Sequence, residues 1–290
     1  MLDKFKHYLE IEKRYSPHTV SAYLLDLNQF TAHLRIDTFE RLQNASHFEI
    51  REWIVALVDG NTSNKSINRK IATLRSFFKW CRRENLVTSD PMQKIKAPKI
   101  EKRLPVFAKE NELNSKRIAE LFEDSFSGRR DHLIFELFYQ TGIRLSELIQ
   151  LQEKDCSETS IKVLGKRNKE RIVPISKELS EQITMFKNEK KTVQSNSANL
   201  LVLDNGKKLY ATFVYRKINH YLSLATKMDR KSPHVLRHTF ATHMLNRGSG
   251  LETLKDLLGH ANLSATQIYT HNSFAQLTSI YSQSHPRGQK

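Results

Sequence analysis

Residues 232–245, SPHVLRHTFATHML, bring together side chains suited to acid–base chemistry and anion binding: His234, Arg237, His238 and His243. At 3.6 residues per turn, all four fall within about three turns of a helix. Three kinds of site fit this composition: a zinc site, a group of histidines in a helical core, or a cradle for an anion.

The zinc alternative is the weakest of the three. His234 and His238 have the i, i+4 spacing of the HExxH metal motif, but Val235 stands where that motif has its glutamate base. Arg237 lies between the two histidines, and a fixed cation beside a divalent metal is unfavourable. We therefore expect no metal here.

An apolar helix face explains part of the histidine content. Phe240 and Leu245 indicate that the same helix has a side facing a core. This favours a structural or supporting role for His238 and His243.

Two arginines are placed to hold one phosphate. His234 and Arg237, at i and i+3, lie on one face of one turn and can present an imidazole and a guanidinium fork together. In YQTGIRLSELIQL, Arg144 follows a Thr-Gly helix stop and begins the next helix, where anions bind readily. Glu147 comes one turn later and can orient Arg144.

Three further residues could complete phosphate chemistry. Lys166 lies in LGKRNKERIVPI at a predicted hairpin turn, from which it could extend into a DNA groove. LLGHANLSATQIYTH contains His260 and, nine residues later, Tyr269. Each motif alone is weakly specific, since short patterns such as TGxR occur by chance in many proteins.

In this order, the motifs TGIRLSEL, GKRNKER, HVLRHTFATHML and LGHANLSATQIYTH resemble the tyrosine recombinase (phage integrase) family. The match covers the catalytic half, and the N-terminal half is similar to the SAM-like, core-binding helical domain of that family. The compact length, the LPVF linker and the HPRG tail look most like the Xer branch. One position departs from the pattern: Arg167 stands where the family usually has glycine, which could stiffen the turn beside Lys166.

The resemblance implies a set of six catalytic residues, with Glu147 in support: Arg144, Lys166, His234, Arg237, His260 and Tyr269. A tyrosine phenol, with an ordinary pKa of about 10, is a weak nucleophile that needs positive surroundings and a proton acceptor. The arginines would neutralise charge in the transition state, and the lysine would protonate the departing 5′-oxygen. The two histidines would hydrogen-bond the phosphate and shuttle the phenolic proton.

The implied reaction needs no cofactor and no metal. It leaves a 3′-phosphotyrosine and a free 5′-hydroxyl, and the covalent link conserves the phosphodiester energy for rejoining. The implied partners are a double-stranded DNA recombination site and other recombinase protomers. These form a homo-tetramer, or a hetero-tetramer with a paralogous recombinase, which passes through a Holliday junction. The implied role is resolution of replicon dimers, as in chromosome partition at cell division.

Other functions stay open at this point. The chain could be the integrase of a mobile element, or a relative that binds DNA without catalysis. A type IB topoisomerase shares the phosphotyrosine chemistry, although the short length and the tail argue against it. A metal-dependent nuclease would need a carboxylate cluster, and we find none in the sequence.

Composition supports a polyanionic partner. The 290 residues carry 47 Lys and Arg against 31 Asp and Glu, a net charge of +16 with a pI near 9.8. Such an excess favours nucleic acid, or less often an anionic membrane surface. The apolar runs are too short to span a membrane, and the first residues do not resemble a signal peptide. We therefore expect a cytoplasmic protein. Its two distant cysteines do not suggest a disulfide scaffold.

The N-terminal region has the pattern of a helical DNA-binding domain. Ser16 and Pro17 predict one helix start, and Ser46 with Glu49 predicts a capping box at another. A third helix has Ile67, Ile71, Leu74 and Phe78 on its apolar stripe. We assign a set of basic residues largely outside that stripe to DNA phosphates: Lys65, Arg69, Lys70, Arg75 and Lys79.

The predicted fold is mainly α with a small β-sheet. It comprises a core-binding helical domain at 1–93, a basic linker at 94–109, and a mixed α/β catalytic domain at 110–290 that ends in a C-terminal docking helix. SIKVLGKRNKERIVPI predicts two short strands of a β-hairpin. The apolar residues after Tyr269 recur at helical spacing, so the terminal helix must pack onto a surface. Packing in cis is the more common fate of such a helix, whereas the resemblance favours packing onto the next protomer.

Overall fold

The computed structural model describes residues 2–100, 106–165, 169–193, 195, 197–259 and 271–288. The chain divides into two compact units, Met1–Arg103 and Leu104–Lys290. The described residues are mainly helical with one two-stranded sheet, as predicted. Cys81 and Cys156 are free thiols. Within the described ranges, none of the helices combines the length and the apolar character needed to cross a bilayer.

Helices make up the regular structure of the first unit. They are α1 (Asp3–His7), which continues as a π-helical turn at Tyr8–Glu12, α2 (Pro17–His33), α3 (Phe39–Gln43), α4 (His47–Asp59) and α5 (Asn64–Arg83).

Both predicted helix starts of this unit are confirmed. The Ser16 hydroxyl accepts a hydrogen bond from the Thr19 amide at 3.3 Å, with Pro17 at the first helical position of α2. At α4, Ser46 and Glu49 form the reciprocal capping box, with side-chain to backbone distances of 3.3 and 2.7 Å. These caps satisfy amide groups that a helix start leaves without an intrahelical partner.

Helix α5 forms the centre of the first unit and buries its predicted apolar stripe in the core. The segment that follows α5 is tied back to it. The Arg75 guanidinium donates to the Ile95 carbonyl at 2.7 Å, and the Asn68 amide donates to the Pro98 carbonyl at 2.9 Å. The first part of the predicted linker is therefore held against the helical unit.

In the second unit, further helices and a hairpin pack around the long buried helix α7. Its elements are α6 (Ser115–Ala119), α7 (Phe126–Thr141), α8 (Leu145–Gln150), a 3₁₀ turn (Glu153–Asp155), β1 (Ser160–Leu164), β2 (Glu170–Pro174), α9 (Lys177–Lys190), α10 (Ala211–Ala225), α11 (Pro233–Asn246), α12 (Leu251–Leu258) and α13 (His271–Ser284).

The predicted hairpin is confirmed. Strands β1 and β2 pair antiparallel, with Ile161 opposite Val173 and Val163 opposite Arg171. Ile161, Val163 and Val173 are buried in the core of the second unit, and Arg171 lies on the same side. The hairpin thus presents one inward face that includes a charged residue.

The C-terminal helix packs in cis in this single chain. Tyr281 of α13 is buried in the core of its own unit. After the helix, the His285 Nε2 atom lies 3.2 Å from the Tyr139 carbonyl oxygen, and the Arg287 guanidinium makes two hydrogen bonds to Glu136, at 2.7 and 2.9 Å. The predicted helix forms and packs on its own unit, whereas the family resemblance favoured packing on the next protomer. Docking in trans stays a prediction for an assembly of several chains.

We expect truncation after Asn272 to destabilise the second unit. It exposes the apolar surface that α13 covers and leaves the buried Glu136 carboxylate without Arg287, and breaking a buried pair costs about 3–5 kcal/mol. Calorimetry should show a lower melting temperature for this unit. Tryptophan fluorescence is an internal control, because Trp53 and Trp80, the two tryptophans of the chain, belong to the first unit. An unchanged melting temperature of the second unit would contradict the cis packing.

Candidate active site

The turn between α7 and α8 places Arg144. Gly142 ends α7 in the left-handed conformation, at φ +59°, which glycine adopts without strain. A Cβ atom there would lie 2.6 Å from Phe240 Cδ1 and 2.9 Å from Leu258 Cδ2, too close for any side chain. The Thr-Gly helix stop predicted from the sequence is therefore confirmed, and Arg144 becomes the N-cap residue of α8.

Glu147 contacts Arg144 twice. Its Oε2 atom accepts from the Arg144 amide at 2.7 Å, and its Oε1 atom accepts from the Arg144 guanidinium at 2.7 Å. The carboxylate is buried, while about a quarter of the Arg144 side chain stays exposed. The Arg144 side chain is therefore partly accessible to solvent.

Arg171 joins this pair, and the sequence analysis did not identify it. Its Nη1 and Nη2 atoms donate to the two Glu147 oxygens at 3.0 and 2.8 Å, in a bidentate arrangement. The side chain is only 5% exposed. The signal was present in the strand pattern, because Arg171 precedes Val173 by two residues and so shares its inward face.

The C-terminal end of α12 gathers three arginines. Three successive carbonyls each accept one guanidinium hydrogen bond: Leu257 from Arg171 Nε at 2.8 Å, Leu258 from Arg237 Nη2 at 2.7 Å, and Gly259 from Arg144 Nη2 at 2.9 Å. The last carbonyls of a helix have no intrahelical donor and carry partial negative charge, so cations bind there favourably. We call Arg144, Arg171 and Arg237, with Glu147, the arginine cluster.

Arg237 also bridges two helix ends. It donates to the Gly142 carbonyl at the end of α7 as well as to α12. Burial, and then the nearby charges of Arg144 and Arg171, lower the pKa of Arg237 to about 10. The group therefore stays protonated at neutral pH.

The arginine cluster has a surplus of positive charge. Burial raises the pKa of Glu147, but the hydrogen bonds and charge of Arg171, together with the donors of Arg144, outweigh burial and lower the pKa to about 2. Three guanidinium charges thus face one carboxylate charge, a surplus of two. Such a site favours a bound anion and stabilises negative charge that develops on it.

Family comparison covers both halves of the chain. The Phage integrase family matches residues 110–276, and the Phage integrase N-terminal SAM-like domain matches residues 2–85. The chain belongs to the phage integrase family. The arginine cluster lies entirely within the part matched by the first of these.

Curated relatives match this integrase-family chain along its whole length. Tyrosine recombinase XerC of Staphylococcus haemolyticus is 37% identical, with 99% of this chain and 97% of the relative covered. XerD of the same organism is 34% identical, with 99% of both chains covered. XerC of Bacillus subtilis is 35% identical, with 99% of this chain and 96% of the relative covered.

Solved structures have the same fold. A post-cleavage complex of XerH with a palindromic difH substrate has a TM-score of 0.72 at 22% identity, covering 97% of this chain and 83% of that chain. A lambda integrase tetramer bound to a Holliday junction has a TM-score of 0.65 at 18% identity, covering 92% of this chain and 74% of that chain.

The histidines of α11 separate into different environments. His243 is buried, with Nδ1 3.1 Å from the Tyr139 hydroxyl and Nε2 2.9 Å from the Ala108 carbonyl oxygen, as its structural role requires. His238 is half-buried. His234 is exposed in the first turn of α11, one turn before Arg237. Its side chain is thus accessible to solvent.

Lys166, Arg167, His260 and Tyr269 lie outside the described residues. Their chain neighbours Gly165 and Gly259 are described, and both adjoin Arg171. A Cβ atom on Gly165 would lie 3.7 Å from Arg171 Nη1, and a Cβ on Gly259 would lie 3.2 Å from the same atom. The positions immediately before Lys166 and His260 are therefore at the arginine cluster.

The basic surface predicted on α5 is present at several positions. Lys65 and Lys79 are exposed, as is Arg75 apart from its hydrogen bond to Ile95. The Arg69 side chain is 42% exposed and pairs with Asp26. Their contact with DNA stays a prediction.

The prediction that Lys70 belongs to this DNA-facing set is wrong. Lys70 is buried, and its ammonium group donates to the buried Asp26 carboxylate at 3.1 Å and also to Gln29. The reason lies in helix geometry, because Lys70 is three residues after Ile67 and four before Leu74, on the inward side of α5. It stabilises the helical unit and is not available to a phosphate.

Proposed function

We propose that this chain is a site-specific DNA recombinase that cuts and rejoins strands through a 3′-phosphotyrosine formed on Tyr269. The observation that carries the proposal is the arginine cluster, attached to the end of α12 next to His260 and ten residues before Tyr269. A surplus of fixed guanidinium charge suits the transition state of phosphoryl transfer.

In the proposed reaction, the Tyr269 oxygen attacks the scissile phosphorus while its proton passes to a histidine. Arg144 and Arg237 hold the two non-bridging oxygens, and His234 and His260 hydrogen-bond the phosphate. The bond from phosphorus to the 5′-oxygen breaks, and Lys166 protonates that oxygen. Rejoining reverses these steps with the 5′-hydroxyl of the partner strand as nucleophile, so no external energy source is required.

We propose that the working assembly is a tetramer on DNA that exchanges one pair of strands at a time through a Holliday junction. The XerH complexes with difH and the lambda integrase tetramer on a junction support this assembly for the fold. The full-length match to both XerC and XerD favours Xer-type dimer resolution in the cytoplasm, by a homo-tetramer or with a paralogous recombinase. Integration of a mobile element is the alternative.

Covalent trapping tests the proposal. A nicked suicide substrate loses its short 5′-hydroxyl fragment after cleavage, so that the phosphotyrosine cannot be reversed. The protein should form a DNA-linked species that survives denaturation and contains the 3′ end. If no adduct forms on any member of a library of recombination sites while DNA is bound, the chain is a non-catalytic binding relative. Adducts mapped in cells would distinguish a chromosomal site from the ends of a mobile element.

Binding to the site should depend strongly on salt. Basic residues in both units would each replace counterions on the phosphate backbone, and 6–10 such contacts cost about a thousandfold or more in affinity between about 50 and 200 mM salt. Replacing the exposed Lys79 by Gln should reduce the slope of log K against log salt by about one. It should also weaken binding to all DNA sequences by about the same factor. A wild-type affinity that does not change over this range would contradict binding through the backbone.

A further inference from the structure

Arg171 makes three hydrogen bonds while exposing almost none of its surface. Its guanidinium donates twice to Glu147 and once, through Nε at 2.8 Å, to the Leu257 carbonyl. One side chain of β2 thereby joins α8 and α12. Because it is 5% exposed, it cannot itself be a main contact of a DNA phosphate.

Both oxygens of the Glu147 carboxylate accept hydrogen bonds from two arginines. Each oxygen accepts one hydrogen bond from Arg144 and one from Arg171. The carboxylate is 3% exposed, so water cannot readily replace a lost donor. Without the Arg171 fork, Arg144, which the carboxylate is supposed to orient, would be its only remaining donor among the residues that the structure describes. The position of Arg144 therefore depends on Arg171 through Glu147.

A lysine could not take the place of this guanidinium. The planar fork presents donors in two directions at once, towards both carboxylate oxygens and towards the end of α12, whereas an ammonium group is a single point charge. The flat group also fits beside two glycines. Cβ atoms at Gly259 and Gly165 would stand 3.2 and 3.7 Å from Nη1.

We propose that Arg171 is a positioning residue for strand cleavage, which holds Glu147 and the end of α12 so that the Arg144 guanidinium is aimed at the scissile phosphate. The proposal rests on the proposed recombinase function. It predicts that losing the Arg171 fork slows the chemical step without weakening DNA binding. A displacement of about 1 Å in a catalytic group can cost about a hundredfold in rate.

The experiment measures adduct formation on the suicide substrate at saturating DNA, with the dissociation constant for the intact duplex measured separately. Arg171→Lys should slow adduct formation by about 100-fold and change the dissociation constant by less than about threefold. Arg130→Lys is the matched control. Arg130 is also a buried arginine of the second unit, but within the described part of the chain its ion pairs are with Asp131 and Asp204 and not with the arginine cluster. We expect Arg130→Lys to stay within about threefold of the wild-type rate.

A double-mutant cycle separates positioning from general destabilisation. In an Arg144→Lys background the group that Arg171 aims is already lost, so adding Arg171→Lys should slow cleavage by less than about threefold further. A structural defect would slow both backgrounds by the same factor, and that result would overturn the proposal. So would a wild-type rate for Arg171→Lys.

Folding is monitored by thermal unfolding of each variant, and Arg171→Gln is made beside Arg171→Lys. If neither variant folds, Arg171 is required for the fold and the proposal is wrong. Wild-type protein that forms no adduct would instead refute the recombinase function itself, so the two failures are distinguishable.

Discussion

Tyr269→Phe should abolish the covalent DNA adduct while leaving the affinity for the intact site within about twofold of wild type. The substitution removes one oxygen atom, and in the proposed reaction that oxygen is the nucleophile. The measurement is the fraction of nicked substrate that becomes protein-linked over hours, beside a binding isotherm on intact duplex.

Other tyrosines of the second unit serve as controls. Tyr281 is buried and its hydroxyl donates to Gln140 at 3.3 Å, while burial raises its pKa far above the usual range. Burial, with the charge of Asp131, raises the pKa of Tyr221 to about 12. Neither environment favours a nucleophilic phenolate, so Tyr281→Phe and Tyr221→Phe should retain the adduct. A DNA-linked species from Tyr269→Phe would show that another residue is the nucleophile.

Arg144→Lys should lower the rate of adduct formation by about a thousandfold or more, the effect of removing a transition-state arginine in phosphoryl transfer. The wild-type guanidinium already donates to Glu147 and to the Gly259 carbonyl, and it still has donors left for a phosphate oxygen. A lysine keeps the charge but cannot serve three partners in this fixed geometry.

The expected signature is a loss in rate at saturating DNA with little change in affinity. Lys65→Ala on α5 is the opposite control. Losing an exposed contact to the DNA backbone should weaken binding and leave the cleavage rate at saturating DNA unchanged. If Arg144→Lys lowers affinity and cleavage by the same factor, Arg144 holds the DNA in place and does not stabilise the transition state.

Local patterns in the sequence predicted the parts of the fold that depend on local geometry. The capping box at Ser46, the glycine stop at Gly142 and the hydrogen bond of Glu147 back to Arg144 all act within four residues. Their geometry is set by backbone conformation and helix periodicity, which a single sequence displays.

Contacts between distant segments were not predictable in the same way. Arg171 meets Leu257 across 86 positions of the chain, and the hydrogen bonds of Arg144 and Arg237 to the end of α12 require the packing of the whole unit. Lys70 was assigned to the wrong side of α5 because its charge outweighed its helical spacing in our interpretation. Packing of α13 in cis brings Arg287 to the buried carboxylate of Glu136. No local sequence pattern indicates that these two residues pair.

The surplus of charge in the arginine cluster also links the stability of the recombinase to its substrate. Without a phosphate, the charged form of Arg237 is disfavoured, first by burial and then by the nearby charges of Arg144 and Arg171. A ligand that binds only the folded state stabilises it by an amount that rises with the logarithm of its concentration relative to its dissociation constant, about 2.7 kcal/mol at one hundred times that constant. We therefore expect the recombination site to act as a ligand that stabilises the folded enzyme.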